Sequence, residues 1–296
     1  MMPADHRLPV GAGIGLKPEH FSHLLTAENH RATSPENRVP AFVEVHPQNY
    51  FGDGGPPHRW LAAIAETFPL SFHSTTLSLG SAGGLNMAAL ERLTQLVDRY
   101  QPASISDHLS WSDVGDHHLP DLLPVPYTQA ALDHFVGQVA CVQDRFKRKI
   151  LIENPSLYLR FLGDEMSEVE FLNALCKRSG CGLLLDINNV IVCANNLGFD
   201  AEDYLRAIDL AHVGEIHLAG HAIEDDAGKF LFVDDHGSSV SEHCWTLYAD
   251  FIARAGAIPT VIEWDTNVPD FTLLMAQAAR ASAVMKQPRL VHARAA

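Results

Sequence analysis

The chain has 296 residues, and 47% of them are hydrophobic, which is enough to bury the core of one (β/α)8 domain or of two smaller domains. It carries 21 basic and 36 acidic side chains. The resulting formal charge of −15 argues against a nucleic-acid partner, because such a surface repels phosphate. There is no apolar signal core, no stretch long enough to cross a membrane and no Cys-x-x-Cys pair, so we expect a cytoplasmic protein with reduced thiols.

Eight short apolar segments alternate with helical patterns along the chain. The predicted strands span 11–16, 41–46, 69–74, 103–110, 149–154, 182–190, 214–221 and 259–265. Helical periodicity occupies 58–68, 85–101, 128–146, 167–180, 201–209, 241–256 and roughly 270–285. Because this alternation continues without a linker, we predict an α/β fold. It is a single (β/α)8 TIM barrel of residues 1–296, with a frayed N-terminus at 1–10 and a C-terminal tail at 287–296.

Two intervals between predicted strands do not follow the helical pattern. The segment 111–128 is rich in Pro, His and Asp and follows a strand end directly, so we expect it to fold over the mouth of the barrel. The segment 222–240 is expected to form a small hairpin. Asn86 is the predicted N-cap of one helix, and Gly180 is the predicted end of another.

Seven of the predicted strands end in a residue that can bind a metal ion. These residues are His46, His73, Asp107, Glu153, Asp186, His217 and Glu263. The C-terminal ends of all strands in a parallel barrel meet at one mouth, so these side chains should converge. A salt bridge is the alternative for each carboxylate, but few basic residues stand at the strand ends. The spacing therefore predicts a metal site at the mouth.

Neighbouring residues extend this candidate site. Asp107 is followed by His108, and only one of the two can face the mouth of a regular strand. We favour Asp107 as the inward group and expect His108 to support it or to contact substrate. Asp234 and His236 are two residues apart and would share one face of an extended segment. With Asn189 they could hold a further ion, although Asn is also common in turns and caps.

The types of ligand restrict the metal. Histidines and carboxylates without cysteine exclude iron–sulfur and structural zinc patterns, and they suit Fe, Mn or Zn with open coordination positions. About ten candidate ligands exceed the needs of one ion. We therefore expect two or three ions, with Glu153 or Glu263 central enough to bridge them.

Nine motifs of the chain resemble, in order, those of the multinuclear non-haem iron-dependent oxidative enzymes, the family of the methanobactin-biosynthesis oxidase. The motifs are EVHPQNYF, SFHSTTLSLG, ISDHLSW, DLLPVPYT, IENPSLYL, LLLDINNV, EIHLAGH, VDDHG and IEWDTNVP. The resemblance implies a xylose-isomerase-like barrel that holds two or three irons in mixed Fe(II)/Fe(III) states and uses O2 as co-substrate. The implied iron ligands are His46, His73, Asp107, Glu153, Asp186, Asn189, His217, Asp234, His236 and Glu263. Of these, Glu153, His73 and Asp107 are expected to take part in catalysis.

The resemblance also implies a substrate. Enzymes of this family modify cysteine residues of ribosomally made precursor peptides and form oxazolone–thioamide or thiooxazole-type products, usually with a small partner protein that presents the peptide. The chain departs from the family at Gln48, where many members have Glu, so one carboxylate near the site is lost. With a peptide substrate, the segment 111–128 could form a wall of the peptide channel. The alternative, a loop that only packs on the rim of the barrel, is about equally compatible with its sequence.

Two other functions remain open. A redox-neutral divalent-metal barrel enzyme, of the sugar isomerase or phosphodiesterase type, uses a similar set of ligands. Isomerases usually offer a catalytic lysine near the metals, whereas no predicted strand here ends in Lys, and DNA-repair relatives need a basic groove. A non-catalytic scaffold that stores metal or binds peptides would need the ligands but not the open coordination positions.

Overall fold

Eight parallel strands close into a barrel in the computed structural model, which describes residues 7–26, 40–115, 117–226 and 228–287. The strands are β1 (Ala12–Gly15), β2 (Val43–Val45), β3 (Leu70–His73), β4 (Ser104–His108), β7 (Leu151–Glu153), β8 (Gly182–Asp186), β9 (Val213–Leu218) and β12 (Thr260–Ile262). The first strand closes the barrel by pairing with the last. The predicted α/β fold, a (β/α)8 TIM barrel, is confirmed. The predicted frayed ends lie mostly outside the described residues.

Helices surround the barrel and pack apolar faces against it. They are α1 (Phe21–Leu24), α2 (Pro56–Ala65), α3 (Met87–Tyr100), α4 (Gln129–Phe146), α5 (Glu168–Ser179), α6 (Ile187–Leu197), α7 (Ala201–Ala207), α8 (Glu242–Ala255) and α9 (Phe271–Met285). The Asn86 side chain accepts a hydrogen bond from the Ala89 amide, as predicted for an N-cap. Gly180 ends α5 in the left-handed conformation that glycine adopts without strain. None of the described helices is long and apolar enough to span a membrane.

The two non-helical intervals are antiparallel hairpins next to the mouth. The first consists of β5 (Trp111–Val114) and β6 (His117–Leu123), within the segment predicted to cover the mouth. The second consists of β10 (Ala222–Asp226) and β11 (Lys229–Val233), and it confirms the predicted small hairpin. Two hydrogen bonds connect this hairpin to α6, in which the side-chain amides of Asn195 and Asn196 donate to backbone carbonyl oxygens of β11.

The sixth predicted strand, 182–190, is too long. The strand ends at Asp186, whose carboxylate accepts a hydrogen bond from the Asn189 amide at 2.7 Å and so begins α6. Helix capping explains the shorter strand, because an Asp that ends a strand also stabilises the first turn of the following helix. Asn189 therefore approaches the mouth from a helix and not from a strand.

Candidate metal centre

The carboxyl ends of the barrel strands surround a cavity of about 370 Å³. Seven of the ten predicted ligands line it, namely His46, His73, Glu153, Asn189, Asp234, His236 and Glu263. Asp186 and His217 are completely buried and belong to the same cluster, because their ligand atoms lie within 4.8 Å of those of Glu153 and Glu263. The predicted convergence at the mouth is therefore present for nine of the ten residues.

A first group of ligand atoms comes from His73, His108 and Glu153. The Nε2 atoms of the two rings lie 3.0 and 2.9 Å from Glu153 Oε2, yet that oxygen accepts no aligned hydrogen bond. On the far side of the rings, His73 Nδ1 lies 2.8 Å from Ser106 Oγ, and His108 Nδ1 lies 3.1 Å from the Ser74 carbonyl oxygen. A neutral imidazole that donates through Nδ1 keeps the Nε2 lone pair for a metal. Both rings therefore present Nε2 to the region beside Glu153.

A second group joins Glu153, Asp186, His217 and Glu263, whose ligand atoms all lie within 4.8 Å of one another. His217 Nδ1 lies 2.9 Å from Glu263 Oε2 and 3.8 Å from Glu153 Oε1. All four side chains are buried. Three carboxylates around one imidazole are costly to bury unless protons or a cation neutralise them.

A third group consists of His46, Glu263 and Asp265. His46 Nε2 lies 3.5 Å from Asp265 Oδ1, and Lys17 Nζ lies 2.5 Å from the same oxygen. Glu153 belongs to the first and second groups, and Glu263 to the second and third. Glu263 also forms a group with His73 and His217, which overlaps the first two. Two carboxylates thus connect three adjacent positions that could each hold a cation.

Asp234 and His236 lie at the edge of this third group. Their side chains meet with His236 Nε2 2.7 Å from Asp234 Oδ1, and His236 Nδ1 lies 3.5 Å from Glu263 Oε2. They are not on an extended strand as the spacing suggested, because β11 ends at Val233 and His236 has a positive φ of 45°. A turn brings the two residues together instead.

Asn189 reaches the cluster from the first turn of α6. Its Nδ2 donates to the Asn154 carbonyl oxygen at 3.0 Å and lies 3.4 Å from Glu153 Oε1. Its Oδ1 atom is buried and has no hydrogen-bond partner. This carbonyl-type oxygen is available as a ligand.

Asp107 is turned away from the cluster, contrary to the sequence prediction. Its carboxylate accepts from the amides of His108 at 2.7 Å and Leu77 at 3.2 Å. The register of β4 against β7 places His108 directly beside Glu153, so the alternation of the strand directs Asp107 elsewhere. His108 takes the position predicted for Asp107, and the expected metal-binding and catalytic roles of Asp107 have no support in this geometry.

The buried groups shift one another's pKa strongly. Burial opposes the charge of His217, but Glu44 and Glu263 outweigh it and raise the pKa of this imidazole well above its ordinary value. Burial would raise the pKa of Glu263, but His236 and His217 lower it well below the ordinary value. Burial and the adjacent Glu153 raise the pKa of Asp186 well above its ordinary value. A metal ion must displace protons from such a cluster, so its binding releases protons.

The residues fit a multinuclear metal centre. Two buried oxygens, Asp186 Oδ2 and Asn189 Oδ1, have no hydrogen-bond partner among the described residues, and the polar neighbours of Glu153 Oε2 are the ring nitrogens of His73 and His108. Each such atom costs about 1–3 kcal/mol if it stays unpaired, and a cation shared among them removes that cost. The donors are nitrogen and oxygen only, which suits Fe, Mn or Zn.

Three residues near the centre did not appear among the predicted ligands. Asp265 lies two positions after Glu263 and Glu44 two positions before His46, so the period of two in each strand could have revealed both. Lys17 lies two residues beyond β1, so it is not the last residue of a strand, yet its Nζ lies beside Asp265 at the mouth. The missing lysine therefore no longer argues against an isomerase.

The fold and the site define a xylose-isomerase-like TIM barrel with a candidate metal centre at the mouth. One similar solved structure is a xylose-isomerase-like TIM barrel protein from Mycobacterium smegmatis in complex with magnesium. It has a TM-score of 0.55 and 11% identity, and the alignment covers 96% of this chain and 100% of that one. Endonuclease IV from Thermus thermophilus has a TM-score of 0.53 and 15% identity, with coverage of 93% and 98%. At these identities the similarity establishes the fold alone.

The chain belongs to the family described as the RiPP precursor modification enzymes MbnB/TglH/ChrH, whose pattern matches residues 11–286. A UPF0276 protein from Paraburkholderia phytofirmans is 46% identical over 273 residues, which cover 92% of this chain and 86% of the relative. The family resemblance inferred from the nine motifs is thereby confirmed. Membership supports a role in modifying ribosomally synthesised precursor peptides.

Proposed function

We propose that this protein is an O2-dependent oxidase that modifies cysteine residues of a precursor peptide at a mixed-valent centre of two or three irons. The observation that carries the proposal is the sharing of Glu153 and Glu263 between adjacent ligand groups. Shared carboxylates can bridge neighbouring ions and change binding mode as the charge of an ion changes. The family supplies the substrate class, and the nitrogen and oxygen donors suit iron.

The ligands divide naturally among the three positions. His73, His108 and Glu153 would hold one ion, and Asp186, His217 and Asn189 would hold a second together with the two shared carboxylates. His46, Asp234, His236, Glu263 and Asp265 surround the third position. When bound, iron would supply a Lewis acid for a cysteine thiolate and the redox capacity to use O2.

Side chains at the mouth would position the substrate. Leu122 of the first hairpin and Thr266 after β12 line the cavity from different sides, so a peptide chain entering the mouth passes between them. Gln48 donates to Thr75 at 3.1 Å, and Thr75 also lines the cavity. The amide that replaces the family's usual carboxylate therefore orders the wall of the cavity and adds no charge.

The proposal includes a small partner protein that presents the peptide. Exposed apolar side chains on the second hairpin and after β7 offer a surface for it, including Ile223, Phe230 and Leu162. Exposed apolar groups of this size often mark sites of protein association.

The test begins with full-length protein purified without oxygen and loaded with Fe(II). A cysteine-containing precursor peptide from the same genomic neighbourhood is added with O2, and the peptide mass is measured. We expect a product lighter than the peptide by the hydrogen atoms that O2 removes as water. A matched peptide with Ser in place of Cys should stay unchanged.

Two results would contradict the oxidase. An unchanged peptide in the presence of iron, O2 and the partner protein would reject the reaction. A colourless protein that holds Mg or Mn and isomerises or epimerises sugars would favour the redox-neutral enzyme, for which Lys17 at the mouth is the supporting observation.

A further inference from the structure

A second layer of polar side chains lies beneath the candidate metal centre. Glu44 on β2 and Glu215 on β9 are 1% and 0% exposed, and each precedes a candidate ligand by two residues. The period of two in a strand places each carboxylate on the same face as its histidine, one layer deeper in the barrel. Glu215 is held by Ser71, whose hydroxyl donates to it at 3.1 Å.

Glu44 contacts His217 on the side opposite the candidate metal position. His217 Nε2 lies 2.8 Å from Glu44 Oε2, while Nδ1 faces Glu263 and Glu153. A carboxylate only accepts hydrogen bonds, so Nε2 must carry the proton of this contact. Without metal, Nδ1 also donates, to Glu263 Oε2 at 2.9 Å. A cation bound among Glu153, Asp186 and Glu263 would replace that Nδ1 proton, while Nε2 keeps its hydrogen bond to Glu44.

His217 thus differs from the two histidines of the first group. His73 and His108 have Nδ1 tied to a serine hydroxyl and to a carbonyl oxygen, so both present Nε2. Those partners are neutral, whereas Glu44 is a carboxylate in a fully buried layer. A carboxylate that accepts from the far nitrogen fixes the orientation of an imidazole ligand and raises its basicity.

We propose that Glu44 is a positioning residue, which presents His217 to the metal centre through Nδ1 and makes it a stronger donor than the other histidines. The proposal rests on the proposed function, because it assumes that His217 binds metal. It assigns to Glu44 a role in tuning the centre, since a negatively polarised imidazole stabilises the more oxidised state of a bound metal. Glu44, Glu215 and His217 also form a group whose ligand atoms lie within 4.8 Å of one another. The proposal assigns Glu44 to holding the ring of His217 and not to binding the metal.

The test uses the full-length metal-free protein and measures Zn(II) binding by titration, without peptide or O2. Glu44→Gln retains the shape of the side chain but removes the charge, and we expect a loss of affinity of about 10–100-fold. Glu215→Gln is the matched control, because it makes the same change in the same buried layer without a hydrogen bond to His217. We expect its affinity to stay close to that of the wild type. Thermal unfolding of the metal-free variants establishes that both fold.

Nitrogen NMR of the Zn(II)-loaded wild type reports directly on the two ring nitrogens of His217. A residue that only supports the packing of the barrel would not determine which of them binds the metal. We expect the His217 Nδ1 resonance to shift on metal binding while Nε2 keeps its proton. In the iron-loaded protein, Glu44→Gln should raise the reduction potential, and Glu215→Gln should raise it much less.

The possible failures are distinguishable. If the wild type binds no metal at the mouth, the proposed function fails together with this inference. If the wild type binds metal through His217 Nε2, or if Glu44→Gln binds it as tightly as the wild type, only the role of Glu44 is overturned. Equal losses in the two variants would also contradict it, because burial in the same layer and not the hydrogen bond would then be responsible.

Discussion

Two carboxylates of this protein, Glu153 and Glu168, have opposite surroundings. Glu153 lies fully buried among ring nitrogens at the mouth, and one of its oxygens has no aligned hydrogen bond. Glu168 lies half-buried beside a separate cavity of about 480 Å³, where Tyr127 donates to one oxygen at 2.9 Å and Tyr204 to the other at 2.5 Å. Desolvation raises the pKa of Glu168 to about 7, so a proton can neutralise it. A large cavity beside a desolvated carboxylate is therefore not enough to suggest a metal site, whereas converging donors without partners make the mouth a candidate for one.

The largest expected effect follows from removing the shared carboxylate. Glu153→Gln should lose metal from two adjacent positions and abolish peptide oxidation, a greater loss than the roughly 10–100-fold typical of outer partners. Metal content per chain and product mass measure the two effects. Glu168→Gln, a change of the same kind at the other carboxylate, should keep its metal. Full metal content in Glu153→Gln would refute the bridging role.

The corrected orientation of β4 gives a second prediction. His108→Ala should weaken metal binding more than Asp107→Asn, because the His108 ring faces Glu153, whereas the Asp107 carboxylate accepts from the backbone amides of His108 and Leu77. For Asp107→Asn we expect a loss of at most about 10–100-fold. Titration of both variants with Zn(II) compares them directly. A larger loss for Asp107→Asn would favour the sequence prediction over the observed orientation.

Metal should stabilise the folded protein by binding at the mouth of the barrel and not in the second cavity. At a free metal concentration about 100 times Kd, the free energy of unfolding should rise by about 2.7 kcal/mol for each ion that binds the folded state alone. Chemical denaturation with and without Zn(II) measures the change, and Glu168→Gln should show the same gain as the wild type. Loss of the gain in His73→Ala but not in His58→Asn, whose ring is buried outside the cluster, would locate the effect at the mouth. Equal gains in both histidine variants would contradict that location.

Glu168, which lines the second cavity, should make the free energy of unfolding depend on pH. The pKa of Glu168 is raised from 4.5 to about 7, mainly by desolvation, so the folded state binds its proton more tightly than the unfolded state. This contribution to stability is complete below pH 4.5 and disappears as the pH rises through about 7. Because the side chain keeps some contact with solvent, we expect the wild type to lose about 2 kcal/mol relative to Glu168→Gln over that interval, less than the full shift implies. Parallel stability curves for the two proteins, measured by denaturation at each pH, would show that Glu168 is ionised throughout.

The barrel and most of its candidate centre were predictable from the sequence, because both follow from local patterns. These patterns are the alternation of strand and helix segments and the position of a ligand residue at the end of a strand. A ligand at the end of a strand, such as His73 or Glu153, or directly after it, such as Glu263, lies at the mouth whatever helix follows. The alternation within β4 could not be resolved in the same way, because the choice between Asp107 and His108 depends on register against β7.

Other features depend on contacts that the sequence does not reveal. Asp234 and His236 meet through a turn with a positive φ, which the spacing of two residues does not encode. Lys17 reaches Asp265 across 248 residues of sequence, and only the closure of the first strand onto the last brings them together. Long-range charge pairs of this kind follow from topology and not from a local motif.

The most direct test of the central claim is a crystal structure of the iron-loaded protein with anomalous diffraction measured at the iron absorption edge. We predict two or three iron peaks at the mouth, with Glu153 bridging two of them and His217 bound through Nδ1. A single peak without contact to Glu153, or no iron peak among these residues, would contradict the account of a multinuclear centre.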